Sequence, residues 1–277
     1  MTPAPDAHQR DLHAQLIDAL DGDPFVALDV DAGSLERITT APGEAAAWVS
    51  LHPARGVRWI TGLAADPGSA DDLATAVRLV VELAGAAGAD GPAIAGVTIT
   101  RGGRGLLPAS LRAPEAWEWD FWVTRDEPEP ASMVTAYGDG LAVLDVPGDD
   151  PRLGPLLELA SPTAPIRPGD PRVGRWAVLE DPEHGLPDTG GLAAVLAVTH
   201  QRSGAAHLND VATHPDRRGR GLARFLCGRV TEDALRAGRP AVTLGMYADN
   251  DPARRVYTAL GFTCVRGQTS GPLQPAS

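Results

Sequence analysis

The run Arg218-Gly219-Arg220-Gly221-Leu222-Ala223 constrains this chain most, because it joins two segments of different hydrophobic period. Upstream, Ala206–Thr213 (AHLNDVAT) reads as a strand that Pro215 ends; downstream, Leu222, Phe225, Leu226, Val230 and Ala234 recur at helical spacing. Two glycines ahead of the first helical turn allow a sharp bend and bring bare N–H groups to a helix start whose unpaired donors and dipole both favour an anion. Arg217, Arg218, Arg220 and Arg224 add positive charge there, on a chain whose formal net charge is −12. The run lacks the third glycine of a dinucleotide fingerprint and the Lys-Ser/Thr pair of a P-loop. An ordinary strand-to-helix loop with solvated arginines is the alternative reading.

The next segment narrows the choice. Pro240–Met246 (PAVTLGM) reads as a buried strand, and Asp249-Asn250-Asp251-Pro252 opens a short helix with an acidic N-cap and an early proline, ending at Gly261. Ala253, Val256, Tyr257 and Leu260 give that helix one packing face, with the Tyr257 hydroxyl expected at its rim.

Arg218, Gly221 and Ala223, followed by Asn250-x-x-Ala253-x-x-x-Tyr257-x-x-x-Gly261-Phe262, carry two spaced signatures of a known family. In them the chain resembles the GNAT superfamily of acetyl-CoA-dependent N-acetyltransferases, over residues 131 to 267. The resemblance implies an α/β GNAT fold, with a mixed, mostly antiparallel central sheet flanked by helices. Its elements fall at 141–146 (strand), 151–160 (helix), 175–179 and 192–200 (strands), then the 206–213 strand. It implies an N-acetyltransferase that uses acetyl-CoA as co-substrate, with no metal, and an unidentified primary amine that attacks directly in a ternary complex. The main chain of Val211, Ala212 and Thr213 would pair with the pantetheine arm. The amides and side chains of Arg218, Gly219, Arg220, Gly221, Leu222, Ala223 and Arg224 would hold the pyrophosphate, Asn250 would hold the pantetheine or the backbone near the thioester, and Ala253 would belong to the same cofactor site. Tyr257 would be the general acid for the departing thiolate; a phenol is neutral at pH 7 and can donate to a developing negative sulfur.

A general base is harder to name. The family often has a glutamate on the strand before the loop and this chain has none there; His207 falls near that place and Asp210 three residues on. Strand alternation sets His207 and Asn209 on one face and Asp210 on the other unless a bulge intervenes. Asp210 and His207 both stand as candidates beside a water-relayed base, with His200 more distant. A non-catalytic acyl-CoA-binding or regulatory protein, or a transferase of another acyl group, is the alternative.

With 277 residues, 43% of them hydrophobic, the chain exceeds this one domain. The sequence divides into an N-terminal α/β domain (1–125), a linker (126–140) rich in proline and glycine, and the acetyltransferase domain (141–277). Trp48–Leu51, Val57–Thr61, Ile94–Thr100 and Trp117–Val123 read as strands and Asp71–Ala87 as a helix, so strand, helix, strand recurs and the first half is a candidate degenerate copy of the same fold. No phosphate loop precedes its helix, and Arg101-Gly102-Gly103-Arg104-Gly105 reads as a flexible turn. In 117–122, Trp117, Trp119 and Phe121 form a core face; Glu118, Asp120 and Trp122 form the other, which would suit a cationic amine or simply face solvent. The Pro-rich stretch 161–171, with Arg172, Arg175 and Trp176 after it, lies where the family has its variable acceptor-covering segment.

Two cysteines, Cys227 and Cys264, are too few for a disulfide framework. No apolar run has membrane-spanning length, the polar start MTPAPDAHQRDLH is unlike a signal peptide, and the acidic balance disfavours nucleic acid. No His/Cys cluster has metal-ligand spacing. A cytoplasmic enzyme is expected, and abundant Ala, Gly, Pro and Arg suggest a bacterial source; oligomeric state is left open.

Overall fold

The computed structural model describes residues 4–52, 56–87, 93–133, 135–137, 140–181 and 183–273. Residues 1–3 of the polar N-terminus and residues 134, 138 and 139 of the linker lie outside these. The chain divides into two compact units, one of Met1–Phe121, Met246–Asp249 and Cys264–Ser277, the other of Trp122–Gly245 and Asn250–Thr263. The first unit takes segments from both ends of the chain, and the second is interrupted by Met246–Asp249. Among the described residues no helix is long and apolar enough to cross a membrane.

The first unit begins with α1 (Ala7–Ala19) and α2 (Pro24–Leu28), two helices with no counterpart in the sequence reading. A reciprocal capping box starts α1: Gln9 N donates to Asp6 Oδ1 (2.8 Å) and Asp6 N to Gln9 Oε1 (3.2 Å). Strands β1 (Leu35–Ala41), β2 (Ala45–His52) and β3 (Val57–Ala64) form an antiparallel meander. Helix α3 (Ala70–Ala87) then crosses to β4 (Ile94–Thr100), which lies parallel to β3. The next strands in the sheet are β11 (Thr263–Pro272), antiparallel to β4, and β5 (Trp117–Thr124). Helix α3 buries Ala76, Val77, Leu79, Val80, Leu83 and Ala87, a stripe at helical spacing. It packs so closely that a Cβ on Gly62 of β3 would overlap Val80 and approach the Ala76 carbonyl.

Strand β11 is tied in by polar groups. Arg266 is almost fully buried, with Nε 2.6 Å from Asp23 Oδ2 and Nη1 donating to Ala64 O (2.7 Å). Ser270 Oγ accepts from Trp119 Nε1 (2.7 Å) and lies 2.7 Å from Thr98 Oγ1.

On β5, Phe25 packs edge-on against Trp119 and Phe121, as a shared core face requires, but Trp117 is 41% exposed. Both acids of that face already share one cation of the chain: Arg101 Nε lies 3.0 Å from Glu118 and Nη2 2.5 Å from Asp120. The Arg101–Gly105 segment turns into a short 3₁₀ helix (Gly103–Leu106), fixed by Arg104 donating to Ala113 O (2.7 Å).

The second unit has the order β6 (Leu144–Val146), α4 (Leu153–Ala160), β7 (Val173–Glu180), β8 (Leu192–His200), β9 (Ala206–Thr213), α5 (Leu222–Arg236), β10 (Val242–Tyr247) and α6 (Asp251–Ala259). Strands β6 to β9 are antiparallel neighbours, and β10 lies parallel to β9 across the α5 crossover. Leu153, Leu156 and Leu157 of α4 bury against Trp176, Val178, Leu192, Val195, Ala197 and Ala212. Each such leucine contributes about 1.5–3 kcal/mol. The two units therefore share one succession: antiparallel meander, crossover helix, parallel strand.

Candidate functional site

The glycine loop begins where β9 ends. His214 accepts a hydrogen bond from Asp216 N at Nδ1 (3.2 Å) and directs Nε2 at Asp188 (3.2 Å), starting the short turn Pro215–Arg217. The buried Arg217 forks onto Asp181 (2.9 and 3.0 Å) and reaches Glu183 (3.2 Å). Its guanidinium holds the Asp181 carboxyl down at about 2. Arg217 is thus an anchor, and the charge of the loop rests on Arg218, Arg220 and Arg224. Among the described residues, Arg218 donates only to main-chain carbonyls, Thr213 O (3.3 Å) and Ala160 O (3.2 Å). Arg220 donates to Tyr137 Oη (2.6 Å) and Glu183 Oε1 (2.8 Å), and Ala136 N donates to Arg220 O (3.0 Å). Residues 135–137 thus lie against the loop, a contact with no signal in the linker's composition.

Gly219 (φ 75°) and Gly221 (φ 83°) both adopt left-handed backbone, which glycine tolerates without strain. Gly221 is the N-cap of α5 and has no side chain to satisfy the first amides of that helix. A Cβ placed on Gly219 would meet nothing within 4 Å, so the bend faces open space.

Beside the loop, the parallel strands part. Strands β9 and β10 pair only over Ala206–Leu208 and Val242–Leu244; from Asn209 to Thr213, among the described residues, β9 pairs with β8 alone. One edge of Val211, Ala212 and Thr213 is therefore open to an added strand-like partner. Thr213 Oγ1 is also buried with no hydrogen-bond partner among the described residues. An unsatisfied buried hydroxyl next to an uncapped helix start suits an acyl-CoA arm and pyrophosphate.

The corresponding place in the first unit is shut. There β3 and β4 stay paired to Gly62 and Ile99, and Ala64 N donates to Thr100 Oγ1 (2.9 Å). The turn into α3 is filled by its own side chains: Asp72 N donates to the Ser69 hydroxyl (3.2 Å), Asp66 N to Asp72 (3.0 Å) and Gly68 N to Asp66 (2.8 Å). Two carboxylates and a hydroxyl occupy the donors that an incoming phosphate would need.

The candidate bases separate along β9. His207 Nδ1 lies 2.9 Å from Thr243 Oγ1, at the paired end of β9 and β10. Asp210 sits in a β-bulge where the strands part: the β8–β9 register shifts between Val195 and Ala197, and Asp210 has φ 50°. The bulge interrupts the alternation, and Asp210 Oδ2 accepts from Ile166 N (2.7 Å). Burial pushes the Asp210 carboxyl up to about 6, against the Ile166 hydrogen bond and the charges of Arg167 and Arg172. His200 is exposed at its strand end, its imidazole pulled down by burial and by Arg239.

On α6 the cap is the neutral side chain of Asn250, whose Oδ1 accepts from Ala253 N (3.1 Å); the expected acidic N-cap is not used. Tyr257 is buried rather than at the rim, packed on Phe262 (centroids 5.8 Å apart). Burial, with Cys227 adding to it, raises its hydroxyl well above the ordinary tyrosine value, which keeps it protonated. Arg175 pairs with Asp145 (2.7 Å) and Asp233 (3.1 Å), and Trp176 belongs to the α4 core, so neither is free to line a pocket.

Residues 156–262 match the family model described as Acetyltransferase (GNAT) family. They are a GNAT-family acetyltransferase domain. This GNAT domain contains the loop, the parted strands, Asp210 and Tyr257 together. Among solved structures, the chain is similar to a GCN5-related N-acetyltransferase from Sphaerobacter thermophilus, at 19% identity and a TM-score of 0.58, covering 99% of this chain and 96% of that one. It is also similar to a GCN5-related N-acetyltransferase-like protein from Streptococcus suis 89/1591, at 12% identity and a TM-score of 0.54, covering 95% and 99%. These likenesses establish the fold alone. No curated protein matches the chain.

Proposed function

We propose that the GNAT domain transfers an acetyl group from acetyl-CoA to a primary amine by direct attack in a ternary complex. The parting of β9 from β10 beside the uncapped start of α5 carries this reading. Val211, Ala212 and Thr213 offer their open edge to the pantetheine amides. The amides from Gly219 to Arg224, with Arg218 and Arg220, bind the pyrophosphate. When bound, acetyl-CoA supplies the activated thioester carbonyl. Asp210 takes the proton that the acceptor ammonium must lose for its nitrogen to attack the carbonyl carbon; its position at the strand opening favours it over His207. Tyr257 gives its hydroxyl proton to the sulfur as the C–S bond breaks, and its phenolate regains the second proton that the attacking nitrogen sheds, leaving an amide and free CoA thiol. Asn250 contributes mainly by fixing the start of the helix that carries Tyr257.

The first unit we read as a copy of the same fold with a closed cofactor cleft. Two cysteines that form no disulfide, Cys227 buried and Cys264 exposed, fit a reducing compartment such as the cytoplasm. Acetyl-CoA is expected to raise the unfolding temperature of the wild type and to release thiol when amines are supplied. Gly221→Glu, which sets a side chain and a negative charge at the pyrophosphate position, should abolish both. Gly221→Ala reports the backbone strain alone, about 1–2 kcal/mol. Undiminished protection in Gly221→Glu would refute the loop assignment, and protection without thiol release from any amine would indicate a binding protein.

A further inference from the structure

The bulge that carries Asp210 is also the attachment point of the segment preceding β7. Ile166 N binds Asp210 Oδ2 at 2.7 Å, and the next side chain, Arg167, folds back over its own turn. Its Nη1 donates to Ile166 O (3.3 Å) and its Nη2 to Pro162 O (2.8 Å), while Arg167 O receives Asp170 N (3.0 Å). A guanidinium has five N–H donors in a planar fork. Two are engaged by carbonyls, so among the described residues three donors remain.

Arg218 likewise donates to carbonyls, whereas three other arginines of this unit are ion-paired. Arg172 is forked on Asp170 (2.7 and 3.0 Å), Arg175 pairs with Asp145 and Asp233, and Arg152 pairs with Asp150 and Glu180 (both 2.9 Å). Among the described residues, no carboxylate lies within ion-pair distance of Arg167. On a chain of net charge −12, this exposed arginine is fixed by its own turn beside the candidate base, where its remaining donors can receive an anion from outside. A neighbouring fixed cation also disfavours a second positive charge on whatever approaches Asp210.

We propose that Arg167 binds a carboxylate of the acceptor, so that the substrate is an amine bearing a carboxylate a few bonds from the reacting nitrogen, an amino-acid-like zwitterion and not a polyamine or simple alkylamine. The proposal rests on Asp210 marking the acceptor side of the transferase site. One anionic end seats in the Arg167 fork while the ammonium end meets Asp210, which fixes the orientation of the nucleophile. Charge-assisted hydrogen bonds of this kind are worth about ten- to a hundredfold in selectivity.

The test compares α-amino acids with their C-terminal amides, which keep the amine and lose the carboxylate. Calorimetric titration into the protein with CoA present, and thiol release with acetyl-CoA, are each run on wild type, Arg167→Gln and Arg172→Gln. Wild type should prefer some acids over their amides by at least about tenfold. Arg167→Gln should lose that preference with its melting temperature little changed, and Arg172→Gln should keep it. Equal treatment of acids and amides, a preference unaltered in Arg167→Gln, or no binding of any carboxylated amine would overturn the proposal. If no amine yields thiol, the transferase reading fails, and the titration still decides the Arg167 site: binding lost in Arg167→Gln supports it, binding retained refutes it.

Discussion

Replacing Asp210 by Asn tests the mechanism where its chemistry is least conventional. A solvated aspartate ionises near 3.9 and would be over 90% ionised at about pH 5. At the value of about 6 that burial imposes, Asp210 is only about 10% ionised at pH 5 and about 90% at pH 7. A base acts in its ionised form, so its contribution should fall about tenfold per unit below pH 6 and level above about pH 7. The carboxamide introduced by Asp210→Asn retains an oxygen to accept from Ile166 N, so the bulge should survive the change. The acceptor amine has its own ionisation, and the ratio of wild-type to Asp210→Asn kcat/KM cancels it. Measured by thiol release from pH 5 to 8.5, that ratio should rise to a plateau of about 10²–10⁴. A second readout comes from folding. The native state holds this proton more tightly than the unfolded chain, so Asp210 makes stability fall as pH rises from about 4 to about 6, and the substitution should remove that slope. A flat ratio would place the base elsewhere, and a limb near pH 4 would refute the burial argument.

Tyr257→Phe keeps the packing on Phe262 and deletes only the hydroxyl; kcat should fall about 10²–10⁴ with acetyl-CoA affinity nearly unchanged, and undiminished kcat would remove Tyr257 from proton transfer. Glu183→Gln should free Arg220 from its internal counter-ion and tighten acetyl-CoA binding about two- to fivefold in a fluorescence or calorimetric titration, as expected of a half-exposed ion pair. Weaker binding would show that Glu183 holds Arg220 in its productive position.

Elements that carry their hydrophobic pattern on one stripe were legible in the sequence. The 94–100, 192–200 and 206–213 strands agree residue for residue, and the helix after the glycine loop starts at Leu222 as its spacing indicates. Strand β11 was not legible because its buried groups are Arg266, Gln268, Thr269 and Ser270, polar residues that give no apolar alternation. Helix α1 escaped notice because it buries just Leu12, Leu16 and Ala19 along thirteen residues. At the site, the two signatures located the loop and Tyr257, and alternation plus a bulge anticipated the question of where Asp210 points. The partners of that loop were hidden. Asp181, Glu183 and Tyr137 lie on segments with no periodicity, and their role depends on proximity in space that spacing along the chain does not encode.

The last strand also sets an order of events during synthesis. Gln268 pairs with Thr100 and Ser270 with Thr98, so the first unit's sheet waits for residues made long after its own β4. At about 5–20 residues per second that interval is roughly ten to thirty seconds, through which the β4 edge has no partner from β11. An open strand edge invites pairing with another nascent chain. Loss of the last fifteen residues would therefore strike the half of the protein that was made first.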